Sequence, residues 1–223
     1  RSTLFPYTTL FRSGRRNEMV NPIVAMWRQD RYRRTEELLT LVRAIQTGHF
    51  QLSSGLHSDR YVQCARLFEF PVAGKEICQE MAGLYQGGRV DVVAGPALGG
   101  IIMAYEVARG LGVRSIFAER ENGKLTLRRG FSVSPGSRVL VVEDVVTTGG
   151  SVKELIELLK ENGAEIAGVG AIVDRTGGSV DFGVPFRSMM LMEHRTWEAS
   201  ECPLCREGAP TRSEERRVGK ECR

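Results

Sequence analysis

A chain of 223 residues is long enough for one compact domain with a substantial core, and it contains no run of about 18 apolar residues that would span a membrane. The end segments hold seven of the 31 basic and three of the 27 acidic residues, which leaves 24 of each in residues 14–211. A neutral body gives no electrostatic reason to expect a nucleic-acid or acidic-membrane partner.

The two end segments are related to each other through the genetic code. The closing segment RSEERRVGKECR has a codon reading whose reverse complement translates as STLFPYTTLFRS, which is Ser2–Ser13 in order. Unrelated tails would not match in this way over twelve residues. Both ends also resemble a translated sequencing adapter. We therefore interpret residues 1–13 and 212–223 as non-native tails and residues 14–211 as a single domain.

The first half of the chain predicts a helix, a strand pair and a second helix. Thr35 is a favourable N-cap because two acidic residues follow it, and the apolar helix face after it stops at Gly48. The segment FQLSSGLHSDRYVQCARLF, residues 50–68, reads as two strands around a polar turn. Residues 72–86 have apolar side chains at helical spacing and predict the second helix.

From residue 90 onwards, short apolar strands alternate with helices, which is typical of an α/β fold with a mainly parallel twisted sheet flanked by helices. Segment 119–131 is charged and punctuated by glycines, and it reads as a mobile hairpin or loop. Ser151 and Glu154 have the spacing of a capping box. We predict strands at 90–95, 115–118, 138–144, 165–175 and 186–193, and helices at 100–109 and 151–162.

Two adjacent acids, Glu143 and Asp144, end a strand that is otherwise apolar. Ligands bind at the carboxyl ends of strands in open α/β sheets, and two buried carboxylates need donors such as a sugar diol or a cation. The hydroxyl- and glycine-rich segment 147–151 follows at a helix N-terminus, where backbone N–H groups and the helix dipole favour an anion. A ribose 5-phosphate would fit both parts. The alternative is a capped helix after two solvated acids.

Two cysteines have a spacing that occurs in metal sites. Cys202-Pro-Leu-Cys205 can supply half of a zinc site, but a full site needs four ligands and His194 is the only histidine nearby in sequence. A disulfide or redox pair and a plain turn are the alternatives, and we favour the plain turn. Cys64 and Cys78 are interpreted as ordinary buried thiols.

The motifs of this chain resemble those of the type I phosphoribosyltransferases. VLVVEDVVTTGGS, residues 139–151, resembles that family's signature for phosphoribosyl pyrophosphate (PRPP), and GPALGG, residues 95–100, is similar to its pyrophosphate loop. FQLSSGLHSDRYVQC, residues 50–64, and DRTGG, residues 174–178, resemble one branch, the orotate phosphoribosyltransferases. The similarity extends from about Thr35 to Pro210.

This resemblance implies a reaction and an architecture. Orotate and PRPP would give orotidine 5′-monophosphate and pyrophosphate, with Mg²⁺, in the de novo synthesis of pyrimidines. The expected fold is the type I phosphoribosyltransferase fold with a small N-terminal hood. A cytoplasmic homodimer is expected, in which the 119–131 lid of one subunit reaches the site of the other, without a nucleic-acid or membrane partner.

The resemblance also assigns roles to individual residues. Asp144, Lys124 and Arg120 would be catalytic, and Thr147 and Arg175 would contact orotate, whose carboxylate suits a guanidinium. No residue is assigned as a metal ligand. The residues that would bind PRPP are Glu143, Asp144, Val145, Val146, Thr147, Thr148, Gly149, Gly150 and Ser151, together with Ala97, Gly99 and Gly100.

The chain departs from the family's pattern at several positions. Ser53 and Gly99 stand where many members have a lysine, and the lid has no histidine. His57 follows the SSG turn, where a solvated surface role and a ligand role are both open. The alternatives for function are a purine or uracil phosphoribosyltransferase, and a regulator that senses PRPP and binds nucleic acid.

Overall fold

The computed structural model of the protein describes residues 22–52, 54–192 and 195–213. These residues form a six-stranded sheet with helices on both faces and a four-stranded sheet, the hood, built from the two ends of the described chain. The predicted α/β class is therefore confirmed. No helix within these ranges is both long enough and apolar enough to cross a lipid bilayer.

The central sheet has the strand order β5-β4-β3-β6-β7-β8, and all neighbours are parallel except β4 and β5. Strand β6 lies in the middle, and its side chains enter both cores: Leu140 packs on one face and Val141 on the other. Burial on both faces explains why this strand reads as a continuous apolar run. The strands are β3 (Val92–Pro96), β4 (Arg114–Glu121), β5 (Lys124–Leu127), β6 (Arg138–Val146), β7 (Glu165–Asp174) and β8 (Phe186–Leu191).

The helices divide between the two faces of this sheet. Met81 of α2 and Met103 of α3 are fully buried in the core on the first face, and Leu155 of α4 is fully buried in the core on the second. The connection from β3 through α3 to β4, and that from β6 through α4 to β7, are both strand–helix–strand units. The helices are α1 (Pro22–Leu41), α2 (Pro71–Gly83), α3 (Gly99–Leu111), α4 (Gly150–Glu161) and α5 (Pro203–Arg206).

The hood sheet joins the beginning of the described chain to its end. Its strands are β1 (Ile45–Gln51), β2 (His57–Val62), β9 (Thr196–Trp197) and β10 (Thr211–Ser213), in the order β10-β1-β2-β9. The C-terminal strands are short, since β9 pairs with β2 through two residues and β10 pairs with β1 through three. The C-terminal segment therefore contributes both edges of the hood.

Several predicted boundaries are wrong at the start of the chain. The first helix begins at Pro22, and Thr35 is a buried residue inside it rather than its N-cap. Residues 28–37 of α1 are mostly polar and charged, with ion pairs such as Arg33–Glu37, so apolar periodicity did not reveal that the helix runs through them. The residues before Gly48, where the helix was predicted to stop, already belong to β1. Cys64 begins a 3₁₀ helix, Cys64–Glu69, and not the predicted strand.

The predicted lid is an ordered hairpin in the structure. Strand β4 extends to Glu121, and Asn122 and Gly123 form the turn with φ angles of 51° and 83°. A two-residue Asn-Gly turn with two positive φ angles is the connection that best matches the twist of a β-hairpin. Of the two predicted alternatives for this segment, a hairpin and a loop, the structure has the hairpin.

The predicted tails lie mostly outside the described residues. Arg212 and Ser213 are described, and they pair with Phe50 and Gln51 as the end of β10. That residues 1–13 and 212–223 are non-native stays a prediction.

Candidate active site

The acid pair lies at the carboxyl edge of the central sheet. Strand β6 pairs with β3 only as far as Val141, whereas its pairing with β7 continues through Glu143 to Val146. The strand thus runs two residues beyond the predicted end at Asp144. On the β3 side, the described pairing has ended where the acids begin, and Asp144 faces the connection that follows β3.

Burial makes the two carboxylates unfavourable in their ionised form. Burial and, as a smaller cause, the neighbouring Asp144 carboxylate together raise the pKa of Glu143 to about 8. Burial also raises the pKa of Asp144, although the backbone N–H of Val145 donates to its Oδ1 atom at 2.8 Å and opposes the shift. A group with this electrostatic cost needs a ligand that supplies hydroxyl donors or positive charge.

The connection after β3 approaches Asp144 so closely that a side chain on Gly99 would have to displace its carboxylate. A Cβ atom on Gly99 would lie 2.6–2.7 Å from the carboxylate atoms of Asp144. Across the same connection from β3 to α3, a Cβ atom on Gly95 would lie 2.4 Å from the carbonyl oxygen of Gly100. The contact gives a physical reason for the missing lysine at position 99, because any side chain there would displace the Asp144 carboxylate.

A small pocket of about 60 Å³ follows the acid pair, lined by Glu143 and residues 145–152. Gly149 is the N-cap of α4 with φ of 77°, and a Cβ atom there would lie 2.9 Å from Val180 and Phe182. Glycine is therefore required for both the backbone angle and the packing. The first N–H groups of α4 lack partners within the helix, so this pocket can bind an anion.

The predicted capping box at this helix is wrong. The N-cap is Gly149, without a side-chain cap, and the carboxylate of Glu154 points elsewhere. Its Oε1 atom accepts a hydrogen bond from the backbone N–H of Leu125 at 2.7 Å, and its Oε2 atom lies 2.8 Å from Nη2 of Arg120. Tertiary contact with the lid hairpin has replaced the local cap.

The two residues that were predicted to contact orotate follow neighbouring strands at the carboxyl edge of the sheet: Thr147 follows β6 and Arg175 follows β7. The backbone N–H of Arg175 donates to the carbonyl of Val146 at 2.8 Å, which fixes the start of the 175–178 turn beside the end of β6. Thr147 is exposed at the mouth of the pocket. The Arg175 guanidinium and the Asp144 carboxylate both influence the pKa of the buried Cys64 thiol, so these groups share one environment.

Cys64 is a buried thiol, as predicted, but the sequence did not reveal that it lies beside the acid pair. Its thiol contacts the backbone oxygen of Asp144 at 3.9 Å, and burial raises the pKa of this thiol well above its ordinary value. A protonated, buried thiol packs beneath the acid pair and is unreactive. Its position at the end of the 50–64 motif was the only available signal.

The lid hairpin places its basic residues unequally. Arg120 is held by Glu154, Arg129 by Glu119 at 2.8 Å and Arg128 by Glu121 at 3.7 Å. Lys124, next to the turn, is exposed and has no ion pair within the described residues. Of the two predicted catalytic cations, the structure pairs Arg120 with an acid and leaves Lys124 available, and neither forms an ion pair with Asp144 in the described chain.

Comparison with known proteins agrees with this geometry. The model of the phosphoribosyl transferase domain matches residues 72–182. An orotate phosphoribosyltransferase of Caldanaerobacter subterraneus subsp. tengcongensis is 58% identical over 174 residues, which cover 78% of this chain and 92% of that protein. The orotate phosphoribosyltransferase of Thermotoga maritima is 58% identical over 175 residues, which cover 78% of this chain and 94% of that protein.

A solved structure extends the similarity to three dimensions. The crystal structure of orotate phosphoribosyltransferase from Aeropyrum pernix matches with a TM-score of 0.61 at 28% identity, over 70% of this chain and 92% of that one. Identity at this level over nearly the whole length of the sequence relatives, together with the shared fold, settles the relationship. The chain belongs to the orotate phosphoribosyltransferase family.

Proposed function

We propose that this protein transfers ribose 5-phosphate from PRPP to orotate, giving orotidine 5′-monophosphate and pyrophosphate, in cytoplasmic pyrimidine synthesis. The observation that carries the proposal is the position of the acid pair. Glu143 and Asp144 lie between the loop at Gly99 and the pocket of residues 145–152. A sugar that carries a phosphate at one end and a pyrophosphate at the other can contact all three parts together.

The acid pair is suited to the ribose hydroxyl groups. In the free protein, burial and mutual repulsion favour protonation of Glu143. Two hydroxyl donors from a ribose diol would stabilise the carboxylates and lower their pKa. During displacement at the anomeric carbon the sugar gains positive charge. The ionised pair would therefore stabilise the transition state more strongly than it stabilises the bound substrate, whose sugar is neutral.

The same carboxylates fit a divalent cation. Mg²⁺ prefers hard oxygen ligands and binds through one or two carboxylates together with substrate phosphates. Glu143 and Asp144 offer such oxygens at the edge of the sheet, and a cation would offset the cost of their burial. When bound, Mg²⁺ would supply positive charge to the leaving pyrophosphate.

Orotate would bind on the β7 side of the site. The 175–178 turn is anchored by the backbone bond from Arg175 to Val146, and Asp174 is held by the backbone N–H and hydroxyl of Thr176, both at 2.7 Å. A rigid turn can present the guanidinium to the orotate carboxylate in a fixed direction. Thr147 lies at the mouth of the pocket, and its hydroxyl would contact the base.

A homodimer with a shared lid is supported by an apolar stripe beside the Gly99 loop. Leu98, the N-cap of α3, and Ile102 and Tyr105 within it recur at helical spacing, and they are 84%, 50% and 60% exposed. Exposed apolar residues in contiguous rows usually mark a protein interface. A second copy on this stripe would approach the pyrophosphate loop, where Lys124 from its lid could reach the leaving group.

An assay with orotate, PRPP and Mg²⁺ tests the proposed reaction directly. Consumption of orotate is followed by its absorbance, and uracil and adenine are offered in parallel as competing bases. We expect turnover with orotate alone. Turnover with uracil or adenine would identify a salvage enzyme. PRPP binding without turnover of any base, together with DNA binding, would identify a regulator.

A further inference from the structure

Two histidines of the hood and two cysteines of the C-terminal segment converge at one point. His49 lies in β1, His57 begins β2, and Cys202 and Cys205 lie at the N-cap and within α5. One ligand atom from each residue lies within 4.8 Å of all the others. The sequence placed the cysteine pair beside His194, which lies outside the described residues, and the fold brings the other two histidines instead.

The distances between these atoms approach those of a tetrahedral zinc site. Zn–S bonds of about 2.3 Å and Zn–N bonds of about 2.0–2.1 Å imply ligand separations of roughly 3.3–3.8 Å. Nε2 of His49 lies 3.6 Å from both the Cys202 and the Cys205 sulfur, and Nδ1 of His57 lies 3.2 Å from the Cys205 sulfur. The two imidazole nitrogens are 2.7 Å apart and would have to separate slightly around an ion.

The surroundings of His49 prepare it as a ligand. Its Nδ1 atom lies 2.9 Å from the backbone oxygen of Ala209 and 3.2 Å from the hydroxyl of Thr211. Because the Ala209 oxygen can only accept, Nδ1 carries the proton, and Nε2 then presents its lone pair to the two sulfurs. A backbone carbonyl on the second ring nitrogen is the usual arrangement of metal-bound histidine.

We propose that His49, His57, Cys202 and Cys205 bind one structural Zn²⁺ that fastens the C-terminal segment to the hood. Two sulfur and two nitrogen ligands in a tetrahedral arrangement are characteristic of zinc, and a set of four protein ligands leaves no open position for catalysis. Both cysteines are free thiols in the described chain, and His49 and His57 are only 4% and 6% exposed.

The short pairing of the hood strands gives this ion a structural task. Strand β9 pairs with β2 through two residues, and strand β10 pairs with β1 through three. These few backbone pairs are all the strand pairing that attaches the C-terminal segment to β1 and β2 in the described residues. The ion would connect β1, β2 and α5 directly, and it would also fix His57 at the end of the turn that separates β1 from β2. Binding of a metal at such a site is part of the folding free energy.

Metal analysis of the full chain, purified without chelators, tests the proposal. We expect about one zinc ion per chain in the wild-type protein and in Cys78→Ala, a control at a buried cysteine in α2, and loss of that zinc in Cys205→Ser. Cys205 is exposed, so Cys205→Ser is the ligand variant most able to fold. Its melting temperature should fall by several degrees, whereas its kcat below that temperature should be retained.

Cobalt substitution of the wild-type protein gives a second readout that does not depend on a variant. Co²⁺ bound by two thiolates and two imidazoles should show a sulfur-to-metal charge-transfer band and intense tetrahedral d–d bands. The proposal would be overturned if the wild-type protein contained far less than one zinc ion per chain, or if Cys205→Ser kept the wild-type zinc content. A disulfide between Cys202 and Cys205, or octahedral cobalt in the substituted protein, would overturn it as well. Loss of kcat in a folded Cys205→Ser variant would overturn the structural role.

Discussion

The carboxyl edge of the central sheet and the hood both bury polar groups, but the groups come together in different ways. At the edge, Glu143, Asp144 and the 145–152 pocket are contiguous in sequence, and a motif of thirteen residues contains most of the site. In the hood, His49 and Cys205 are 156 positions apart in sequence, and the tertiary fold brings them into contact. Local motifs therefore reveal the first region, and only tertiary structure reveals the second.

The two regions also differ in what their polar groups do to the fold. The acids at the edge carry raised pKa values caused by burial, so in the free protein they oppose folding at neutral pH. The histidines and cysteines of the hood join distant segments and would support folding. Changes at the edge should therefore affect turnover more than stability, and changes in the hood should do the reverse.

The largest expected effect is that of Asp144→Asn at the edge. The carboxylate would stabilise charge that develops in the transition state, so kcat should fall by about a hundredfold or more. The melting temperature should be unchanged or raised, because a buried charge is removed. Steady-state kinetics and thermal denaturation measure both, with Glu161→Gln on the exposed surface of α4 as the control. A kcat close to that of the wild type would remove Asp144 from catalysis.

The next largest effect tests whether Lys124 of the lid hairpin acts in the active site at the carboxyl edge. Lys124→Ala should lower kcat on the order of a hundredfold, since the hairpin's arginines are held by acids and only this lysine is left to meet the pyrophosphate. Arg128→Ala, in the same hairpin, is the matched control and should have a small effect.

Mixing Lys124→Ala with Asp144→Asn after subunit exchange then separates the two possible lid arrangements. Half of the dimers would be hybrids with one intact site in two, so activity should recover to roughly a quarter of the wild-type value. Mixtures with proven exchange and no recovery would place the lid over the site of its own chain.

A smaller effect is expected when the base pocket alone is changed. Arg175→Ala removes a charge-assisted bond worth about 1.5–3 kcal/mol, so the KM for orotate should rise roughly tenfold or more. The KM for PRPP should change little, because the acid pair and the phosphate pocket remain. Arg175→Lys should give an intermediate KM. A raised KM for PRPP with an unchanged KM for orotate would show that Arg175 does not contact the base.

The smallest effect concerns stability against pH. The raised pKa of Glu143 means that the folded protein holds a proton which the unfolded chain has released, so stability declines as pH rises from about 4.5 to about 8. Glu143→Gln removes this decline. The variant should therefore gain melting temperature relative to the wild type as pH is raised across that window, by a few degrees. Parallel denaturation series measure the difference, and a constant gap between the proteins would contradict the assignment.

Sequence reasoning succeeded where structure follows from local pattern. The alternation of strands and helices from residue 90 predicted the parallel sheet. The glycines at 95–100 and 149–150 marked the two loops of the site, because a close approach of two backbone segments requires glycine in the sequence. It failed where distant contacts decided the outcome. Glu154 has the spacing of a cap, but its carboxylate bonds the lid hairpin instead. His57, for which a surface role was one alternative, is buried beside Cys205.

The lid hairpin also protects the sheet from aggregation. Strand β5 has only four residues and forms one edge of the central sheet; it begins with Lys124, and Arg128 follows it. Short edge strands flanked by charged residues resist pairing with other molecules. Without β5, the eight residues of β4 would become an open edge of a parallel sheet, a template for intermolecular strand addition. Substitutions at the turn of this hairpin therefore leave the edge of the sheet protected, whereas deletions that remove β5 would expose β4 and lower solubility.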